Sequence, residues 1–553
     1  MVHPCTREQN LLDKTQAIVQ SLDINPSQSR DISARFVDLL RAGLTQNAPI
    51  QIPSYVTRLP SGSESGTYLA VDLGGTNCRV CSVELHGDST YTVVKSTSSV
   101  PREVRFNPSH RPLFGFIAEQ IHKFLQEQFP TELKSRLKKG KGGASPRSDF
   151  WGLGFTFSFT CHQQSPRDGR LLRWDKDWDI PDAIGQNPCD MLQVAIDALC
   201  LPVHVAVLAN DSVGTLLTRS YTTSTSSWPP ISAIFGTGTN AAYVERLENV
   251  KRVHDQPEFA QREPGDFMII NTEWGGLDDE MKILPSTPYD VQLDKESVHP
   301  GDQMLEKRVA GLYLAELFRL VLMAVWKDGL FDMILDGDSP VFRHKGLHSS
   351  FLSQIANTPH RALKSVVSQM FGATGMSDND IDAIRRLAAA VVRRSARLAG
   401  ILLTATIIAA GHINSTSLMR KRPSVYRVTE HTEPRISSKS EGRGLSFGRL
   451  MSWLKKAVCI PPKSGNGSTA KLQSTSPSSS SAVLGWEDND TIDVGVDGSL
   501  IQLYPEFEAE MRTAMRNIPD IGQQLESRLS IGFVQDGSAV GAALMALGVT
   551  SET

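Results

Sequence analysis

Cysteine is scarce in this chain of 553 residues, and its charges nearly balance. The seven cysteines are scattered and odd in number, which favours a reducing compartment over a disulfide scaffold. The formal net charge of −3 at pH 7 gives no argument for binding nucleic acid or an anionic membrane. Cys78 and Cys81 form one Cys-x-x-Cys pair on a predicted strand, where residues three apart point to opposite faces. No second pair follows, so we interpret both as packing residues rather than metal ligands.

Long hydrophobic runs are also missing. The most apolar later run, 398–410, has about half the length that a membrane-spanning helix needs, and it predicts a buried helix. The first ten residues, MVHPCTREQN, lack the basic region, apolar core and cleavage site of a secretory signal. We therefore expect a cytoplasmic location. The length and the 40% hydrophobic content predict a globular protein of two or more domains.

The most informative stretch is TYLAVDLGGTNCRV at 67–80. Its apolar first half predicts a buried strand, and two glycines after Asp72 allow a tight turn whose N–H groups approach an anion. A carboxylate at the strand end suits Mg²⁺, held through water. Taken alone, this pattern is equally typical of an ordinary turn.

Later segments repeat the pattern. ISAIFGTGTNAAYV at 231–244 again reads as strand, glycine turn and strand, while VHVAVLANDSVGTLL at 203–217 reads as a strand ending in Asn210 and Asp211 before a helix. Near the C-terminus, 491–507 and 529–547 each carry an Asp-Gly-Ser turn, and the second continues into small residues that permit close backbone approach. Two strand-turn units predict a duplicated α/β domain with a nucleotide in the cleft between its lobes.

These motifs resemble those of the eukaryotic, fungal-like hexokinase family, which belongs to the actin-like sugar kinase superfamily. Eight motifs in the family's order carry the resemblance: LAVDLGGTN (69–77), GFTFSF (154–159), LANDSVGTL (208–216), IFGTGTNAAY (234–243), INTEWGGLDDE (270–280), PGDQMLEK (300–307), VGVDGSL (494–500) and QDGSAVGAAL (535–544). The resemblance implies an α/β, two-lobed actin-like (ribonuclease H-like) duplicated fold with a nucleotide and sugar cleft. It further implies N-terminal helices at 1–66 packing on the large lobe, a small lobe at 67–212, a large lobe at 213–538, and a C-terminal helix at 539–553 returning towards the small lobe.

The same resemblance implies ATP-dependent phosphorylation of a hexose at its 6-hydroxyl, with ATP and Mg²⁺ as cofactors. By similarity Asp211 is the general base, and Lys176 places a positive charge near the transferred phosphoryl group. The implied sugar-binding residues are Ser158, Asp175, Lys176, Asn210, Asp211, Asn240, Glu273 and Glu306. The implied nucleotide-binding residues are Asp72, Gly74, Gly75, Thr76, Asn77, Gly236, Thr237, Gly238, Thr239, Asp497, Gly498, Ser499, Asp536, Gly537 and Ser538, with Asp72 also holding the metal. Locally, Asn210 and Asp211 are equally typical of a helix cap.

Several positions depart from the family pattern. Thr160 replaces the usual proline, WDKDW at 174–178 replaces Trp-Thr-Lys-Gly-Phe, and Ala241 replaces a glycine. Asp175 thus adds a negative charge beside Lys176. Three hypotheses follow: an active hexokinase for glucose or a similar hexose, an N-acetylglucosamine kinase of the same fold, and a catalytically weak or inactive sugar-sensing relative.

Two segments look like insertions. The basic, glycine-rich stretch at 134–148 predicts a surface loop. Residues 418–486 are rich in Ser, Pro and Gly and predict disorder, and 420–471 hold twelve Lys and Arg against three Glu. Within them, LSFGRLMSWLKKAV at 445–458 is typical of a basic amphipathic helix for a membrane surface or a protein partner, although a solvated loop fits as well. No nucleic-acid partner is expected, and the chain is predicted to be a monomer or homodimer.

Overall fold

Two β-sheets form the framework of the chain. The computed structural model describes residues 6–46, 48–140, 150–174, 178–223, 231–259, 263, 265–411, 491–519 and 522–551. Asp175, Lys176 and the insert at 418–486 lie outside the described residues. The strands are β1 (Ile52–Pro53), β2 (Ser65–Leu73), β3 (Asn77–His86), β4 (Tyr91–Ser99), β5 (Trp151–Phe157), β6 (Cys161–Gln163), β7 (Gly169–Leu171), β8 (Val203–Ala209), β9 (Ile231–Phe235), β10 (Thr239–Arg246), β11 (Phe267–Asn271), β12 (Ile334–Leu335), β13 (Ala373–Thr374), β14 (Ile492–Asp497) and β15 (Leu529–Phe533).

Helices surround these sheets. They are α1 (Arg7–Ser21), α2 (Pro26–Gly43), α3 (Arg102–Arg105), α4 (Arg111–Gln128), α5 (Pro130–Gly140), α6 (Pro188–Ala198), α7 (Asp211–Thr222), α8 (Pro288–Glu296), α9 (Glu306–Val309), α10 (Gly311–Lys327), α11 (Phe351–Asn357), α12 (His360–Phe371), α13 (Asp378–Ala409), α14 (Ser499–Leu503), α15 (Phe507–Arg516), α16 (Gly522–Arg528) and α17 (Gly537–Ser551). The prediction of a loop from residue 134 is wrong for its first part, because α5 continues to Gly140. Lys, Leu and Arg in this stretch are good helix formers.

The two main sheets share one topology. The small sheet has the order β4-β3-β2-β5-β8, and the large sheet has the order β1-β11-β10-β9-β14-β15. In the small sheet β2, β3 and β4 pair antiparallel, whereas β2, β5 and β8 pair parallel. In the large sheet β9, β10 and β11 pair antiparallel, whereas β9, β14 and β15 pair parallel. Apart from the added β1, the second sheet repeats the first, and the predicted duplicated α/β fold is confirmed.

Helices α7 and α17 lie between the two sheets. Helix α17 packs on β2, β5 and β8, α7 packs on β9, β10 and β14, and the two helices pack on each other. The helices approach closely because glycines meet: a Cβ at Gly541 would lie 2.1 Å from the Cα of Gly214. The close approach that the small residues at the C-terminal end predict is therefore present.

The outer faces of the sheets carry the main cores. The small sheet packs with α4 and α6 in one hydrophobic cluster, and the large sheet shares a continuous core with α1, α2, α10 and α13. Run 398–410 falls mainly within the buried length of α13, as predicted. Among the described residues, no helix is both long enough and apolar enough to cross a bilayer.

Cys78 and Cys81 lie on opposite faces of β3. Cys78 packs in the cluster with α4 and α6, while Cys81 packs in the cluster with α7 and α17. Burial, with a smaller contribution from the charge of Asp72, raises the pKa of both thiols to about 12. Buried and protonated thiols fit the interpretation as packing residues.

Candidate active site

Predicted site residues from five separate segments meet in one cavity. Ser158 follows β5, Asn210 follows β8, Asn240 lies in β10, Glu273 follows β11, and Glu306 begins α9. The cavity holds about 380 Å³ of space free of protein atoms, part of it open to solvent. Its lining residues are Ser158, Asn210, Asp211, Gly238, Thr239, Asn240, Glu273, Gly275, Gln303 and Glu306. Every sugar-binding residue predicted by the resemblance is present except Asp175 and Lys176, which are not described.

The carboxylate of Glu273 is at the centre of an amide network. Its Oε1 accepts hydrogen bonds from the Nδ2 atoms of Asn271 at 2.8 Å, Asn240 at 3.3 Å and Asn210 at 3.4 Å. Its Oε2 accepts from the Thr160 hydroxyl at 3.4 Å. The backbone of Glu273 is left-handed, with φ of 48°, an uncommon conformation for a non-glycine residue. The network holds this carboxylate in a fixed position on the cavity wall.

Asn240 joins the network to the backbone of the neighbouring strand. Its Oδ1 accepts from the N–H groups of Ala241 at 2.8 Å and Glu273 at 3.0 Å, and from the Thr272 hydroxyl at 3.1 Å. Its Nδ2 also donates to Asn271 Oδ1 at 2.8 Å. Asn240 is 8% exposed, so these bonds satisfy a nearly buried amide.

Asp211 is the first residue of α7, and Asn210 is its N-cap. The side chain of Asn210 accepts from the Ser212 N–H at 2.9 Å, as does Asp211 Oδ1 at 2.8 Å. The helix-cap interpretation is therefore confirmed, and it coexists with exposure of both residues to the cavity. Asp211 therefore presents its carboxylate to the cavity from the first turn of α7.

The turn after β2 is closed by its own hydrogen bonds. The Gly74 N–H closes the turn on the Asn77 carbonyl at 3.0 Å, and the Asn77 side chain donates to the Thr76 hydroxyl at 3.1 Å. Asp72 is the next-to-last residue of β2 and is only 6% exposed. Arg79, opposite it on β3, donates to Asp72 Oδ2 at 2.7 Å.

The glycine turn at 236–239 contacts the glycine turn at 497–499. A Cβ at Gly236 would lie 3.3 Å from the Cα of Gly498, and a Cβ at Gly498 would lie 2.4 Å from Phe235 backbone atoms. Gly498 has φ of 117°, a conformation that L side chains rarely adopt. The predicted nucleotide segments at 236–239 and 497–499 are therefore adjacent.

The last predicted nucleotide segment, at 536–538, contacts strands of the small sheet. Asp536 accepts a hydrogen bond from Lys95 of β4 at 2.7 Å, and the Ser538 carbonyl accepts from the Thr156 hydroxyl of β5 at 3.1 Å. Of the predicted nucleotide residues, only Gly238 and Thr239 line the cavity described above.

Three carboxylates lie close enough to influence one another. Burial first, and then the negative charges of Asp211 and Asp72, raise the pKa of Asp497 from 3.8 to about 6, against the lowering effect of a hydrogen bond from the Gly498 N–H. Mutual repulsion of this kind is relieved by a cation. Oxygen ligands of this type suit Mg²⁺, so the residues present fit a magnesium ion near Asp72 and Asp497.

Four lining or network residues were missed by sequence reasoning. Asn271 and Thr272 support Asn240 and Glu273, while Gly275 and Gln303 line the cavity. A Cβ at Gly275 would lie 2.2 Å from Gln303 Oε1, so a larger residue there would displace the Gln303 side chain. All four occur inside motifs that carry the resemblance, but composition alone does not indicate which of their side chains point inwards.

The comparisons with known proteins cover almost the whole chain. Two hexokinase family models match residues 14–221 and residues 230–438 with 464–548. A glucokinase of Aspergillus niger is 34% identical over 98% of both chains, and Hexokinase-2 of Schizosaccharomyces pombe is 31% identical over 99% of both. The structure of a Schistosoma mansoni hexokinase complexed with glucose superposes with a TM-score of 0.70 at 25% identity, covering 98% of this chain and 99% of that one. The predicted family is confirmed: the chain belongs to the hexokinase family of the actin-like sugar kinase superfamily and is a hexose kinase.

Proposed function

We propose that this chain transfers the γ-phosphoryl group of ATP to the 6-hydroxyl of glucose, with Asp211 as the general base. The observation that carries the proposal is the position of Asp211 at the N-terminus of α7, on the wall of a cavity lined by amides and carboxylates. Asp211 accepts the hydroxyl proton while the hydroxyl oxygen attacks the γ-phosphorus, and ADP leaves. Glucose is favoured because the A. niger relative is named a glucokinase and the S. mansoni structure holds glucose.

The cavity wall suits a sugar with several hydroxyl groups. Glu273 and Glu306 are acceptors for hydroxyl donors, while Ser158, Asn210 and Asn240 both donate and accept. The Glu306 Oε1 also accepts from the Thr239 N–H at 3.3 Å, which fixes its direction. An analogue without one hydroxyl would leave one of these polar groups unpaired. Selectivity for the sugar is therefore assigned to this wall.

The glycine turns are assigned to the nucleotide. Gly74, Gly75, Thr76 and Asn77 form the first phosphate segment and 236–239 the second, and 497–499 with 536–538 serve the adenosine side. Asp72 and Asp497 would hold Mg²⁺, which when bound neutralises charge on the phosphates. Arg79 holds the Asp72 carboxylate in place through their 2.7 Å contact. The roles of Asp175 and Lys176, which lie outside the described residues, stay predictions.

Neither alternative function gains support from the comparisons. The relatives named above are glucokinases and hexokinases, which does not favour an N-acetylglucosamine kinase or an inactive sensor. Ala241 is buried in β10 and its N–H is bonded to Asn240, so the departure from glycine lies behind the cavity wall. The cytoplasmic location, the oligomeric state and the domain boundaries at 66, 212 and 538 stay predictions.

An ADP-release assay with MgATP and a panel of sugars tests the proposal. Glucose, mannose, fructose, glucosamine and N-acetylglucosamine are compared, and glucose is expected to give the highest kcat/KM. Asp211→Asn should lower kcat by about 10²–10⁴-fold, the usual contribution of a general base. Asp190→Asn is a matched control, because Asp190 also lies in the first turn of a helix with an Asn N-cap but outside the cavity.

The outcomes separate the hypotheses. Turnover that survives in Asp211→Asn at the wild-type rate contradicts the general-base role. A preference for N-acetylglucosamine supports the second hypothesis, and no turnover with any sugar supports the third.

A further inference from the structure

Four aromatic side chains form a buried cluster between the sugar side and the phosphate side of the site. Trp174 and Trp178 stack with ring centroids 5.5 Å apart, and Phe159 lies 4.8 Å from the first and 5.0 Å from the second. Phe157 lies 5.0 Å from Phe159 and 5.8 Å from Trp174. All four are at most 3% exposed, so their relative positions are fixed by packing.

The indole N–H groups of the two tryptophans have different partners. Trp174 Nε1 donates to the Ile180 carbonyl at 2.8 Å, a few residues further along its own segment. Trp178 Nε1 donates to the Gly75 carbonyl at 2.7 Å, 103 residues away in the chain. The second bond joins the aromatic cluster to the phosphate turn.

This bond fixes the orientation of one peptide plane. In a trans peptide the carbonyl and the following N–H point in opposite directions, and no cis bond occurs among the described residues. With the Gly75 carbonyl directed at Trp178, the Thr76 N–H points away from the cluster. A glycine turn without such a bond has wide conformational freedom, so the indole restrains a donor of the proposed phosphate segment.

The same cluster also flanks Ser158 on the sugar side of the site. Ser158 lies between Phe157 and Phe159 and lines the cavity, and its N–H donates to the Leu73 carbonyl at 3.4 Å. Trp178 therefore contacts the support of a sugar-facing residue through Phe159 and the phosphate turn through its N–H. Trp178 thus joins the aromatic cluster to the nucleotide side of the site by a hydrogen bond.

We infer that Trp178 is a positioning residue, which holds the phosphate turn through the Gly75 carbonyl. The inference rests on the proposed assignment of 74–77 to the nucleotide. An aromatic ring without a hydrogen-bond donor, such as Phe, could not make this bond to the Gly75 carbonyl. Trp178 does not itself touch the reacting atoms.

The test is the Trp178→Phe variant, which keeps a ring in the cluster and removes the N–H. Calorimetry measures the Kd of a non-hydrolysable ATP analogue with Mg²⁺, and steady-state assays measure KM for ATP and glucose. We expect the nucleotide Kd and the KM for ATP to rise about fivefold, within the roughly two- to twelvefold range for loss of one neutral hydrogen bond. The KM for glucose should change less than about twofold, because Ser158 and the neighbouring Phe159 are unchanged in the variant.

Trp174→Phe is the matched control. It removes a buried indole N–H bond of nearly equal length from the same cluster, so it should lower thermal stability similarly while leaving the nucleotide Kd near the wild-type value. Equal nucleotide Kd values in Trp178→Phe and the wild type, or equal losses in both variants, overturn the inference. Because binding is measured without turnover, an inactive wild type that still binds the analogue contradicts the proposed function and leaves this test valid. A wild type that binds no nucleotide contradicts both.

Discussion

Replacing Asp497 by Asn should stabilise the protein, but only at neutral and alkaline pH. Asp497 lies at the end of β14, where burial first, and the charges of Asp211 and Asp72 next, raise its pKa to about 6. The Asn side chain is neutral at every pH. Its oxygen can still accept from the Gly498 N–H, at 2.6 Å in the wild type, and from Gln502 Nε2, at 3.1 Å.

The sign and size of the change in the free energy of unfolding follow from the difference between the pKa of Asp497 in the folded and unfolded states. A carboxyl whose folded pKa is raised favours folding while it is protonated, so its contribution is complete below about pH 4 and is lost as pH rises through about 6. The shift from 3.8 to about 6 corresponds to at most about 3 kcal/mol at 1.36 kcal/mol per pKa unit. Partial exposure of Asp497 lowers that figure through solvent screening. Asp497→Asn should therefore be up to about 3 kcal/mol more stable than the wild type at pH 8, and nearly equal at pH 4.

Urea denaturation without Mg²⁺ at the two pH values measures the difference. Asp493→Asn is the matched control on the same strand, because Asp493 accepts two bonds from Arg219 at 2.8 and 2.7 Å. That variant should be less stable than the wild type at pH 8, the opposite sign. If Asp497→Asn is no more stable than the wild type at pH 8, or if its advantage is the same at pH 4, the argument from burial and neighbouring carboxylates is refuted. If Asp72 and Asp497 hold Mg²⁺, adding Mg²⁺ with nucleotide should stabilise the wild type more than the Asp497→Asn variant.

Three further predictions concern the site and its support. Glu273→Gln should raise the KM for glucose by about 10- to 100-fold, because a charged acceptor is lost; an unchanged KM in steady-state assays would contradict the sugar-binding role. Gly541→Ala should cost about 1–3 kcal/mol or more and lower kcat by displacing α7, whereas Gly548→Ala, whose Cβ has nothing within 4 Å, should leave urea denaturation and kcat unchanged. Asp290→Asn should cost about 3–5 kcal/mol, since Asp290 accepts two bonds from the buried Arg394 at 2.8 and 2.7 Å; a loss below about 1 kcal/mol would show that the pair contributes little.

The strand-turn pattern made much of the fold predictable. Residues 67–80 and 231–244 form the hairpin pairs β2–β3 and β9–β10, because apolar alternation and glycine turns are local signals. The opposite faces of Cys78 and Cys81 follow from the period of two along a strand. The small residues after 536 predict the close approach of α17 to α7 for the same reason: the signal is in the residues themselves.

Other features depend on contacts distant in sequence. The connector at 48–66 is rich in Pro and Ser, yet Ile52 and Pro53 pair with Ile270 and Asn271 of β11. So short a strand exists only because the large sheet offers an edge to it. The left-handed backbone of Glu273 is likewise held by Asn240 and Asn271, and no local pattern specifies it. Sequence reasoning identified Glu273, Asn210 and Asn240 by resemblance and left the third supporting amide, Asn271, unidentified.

The position of α17 has a consequence for synthesis. This helix covers the inner face of the small sheet and contacts α7, which begins at Asp211, across more than 300 residues of chain. A nascent chain that has released only residues up to 223 contains the sugar-facing Ser158, Asn210 and Asp211 but not the helix that packs between its sheet and α7. Contacts of such long sequence separation form late and slowly. The carboxylate of Asp211 should therefore reach its final position only after the helix ending at Ser551 has emerged from the ribosome.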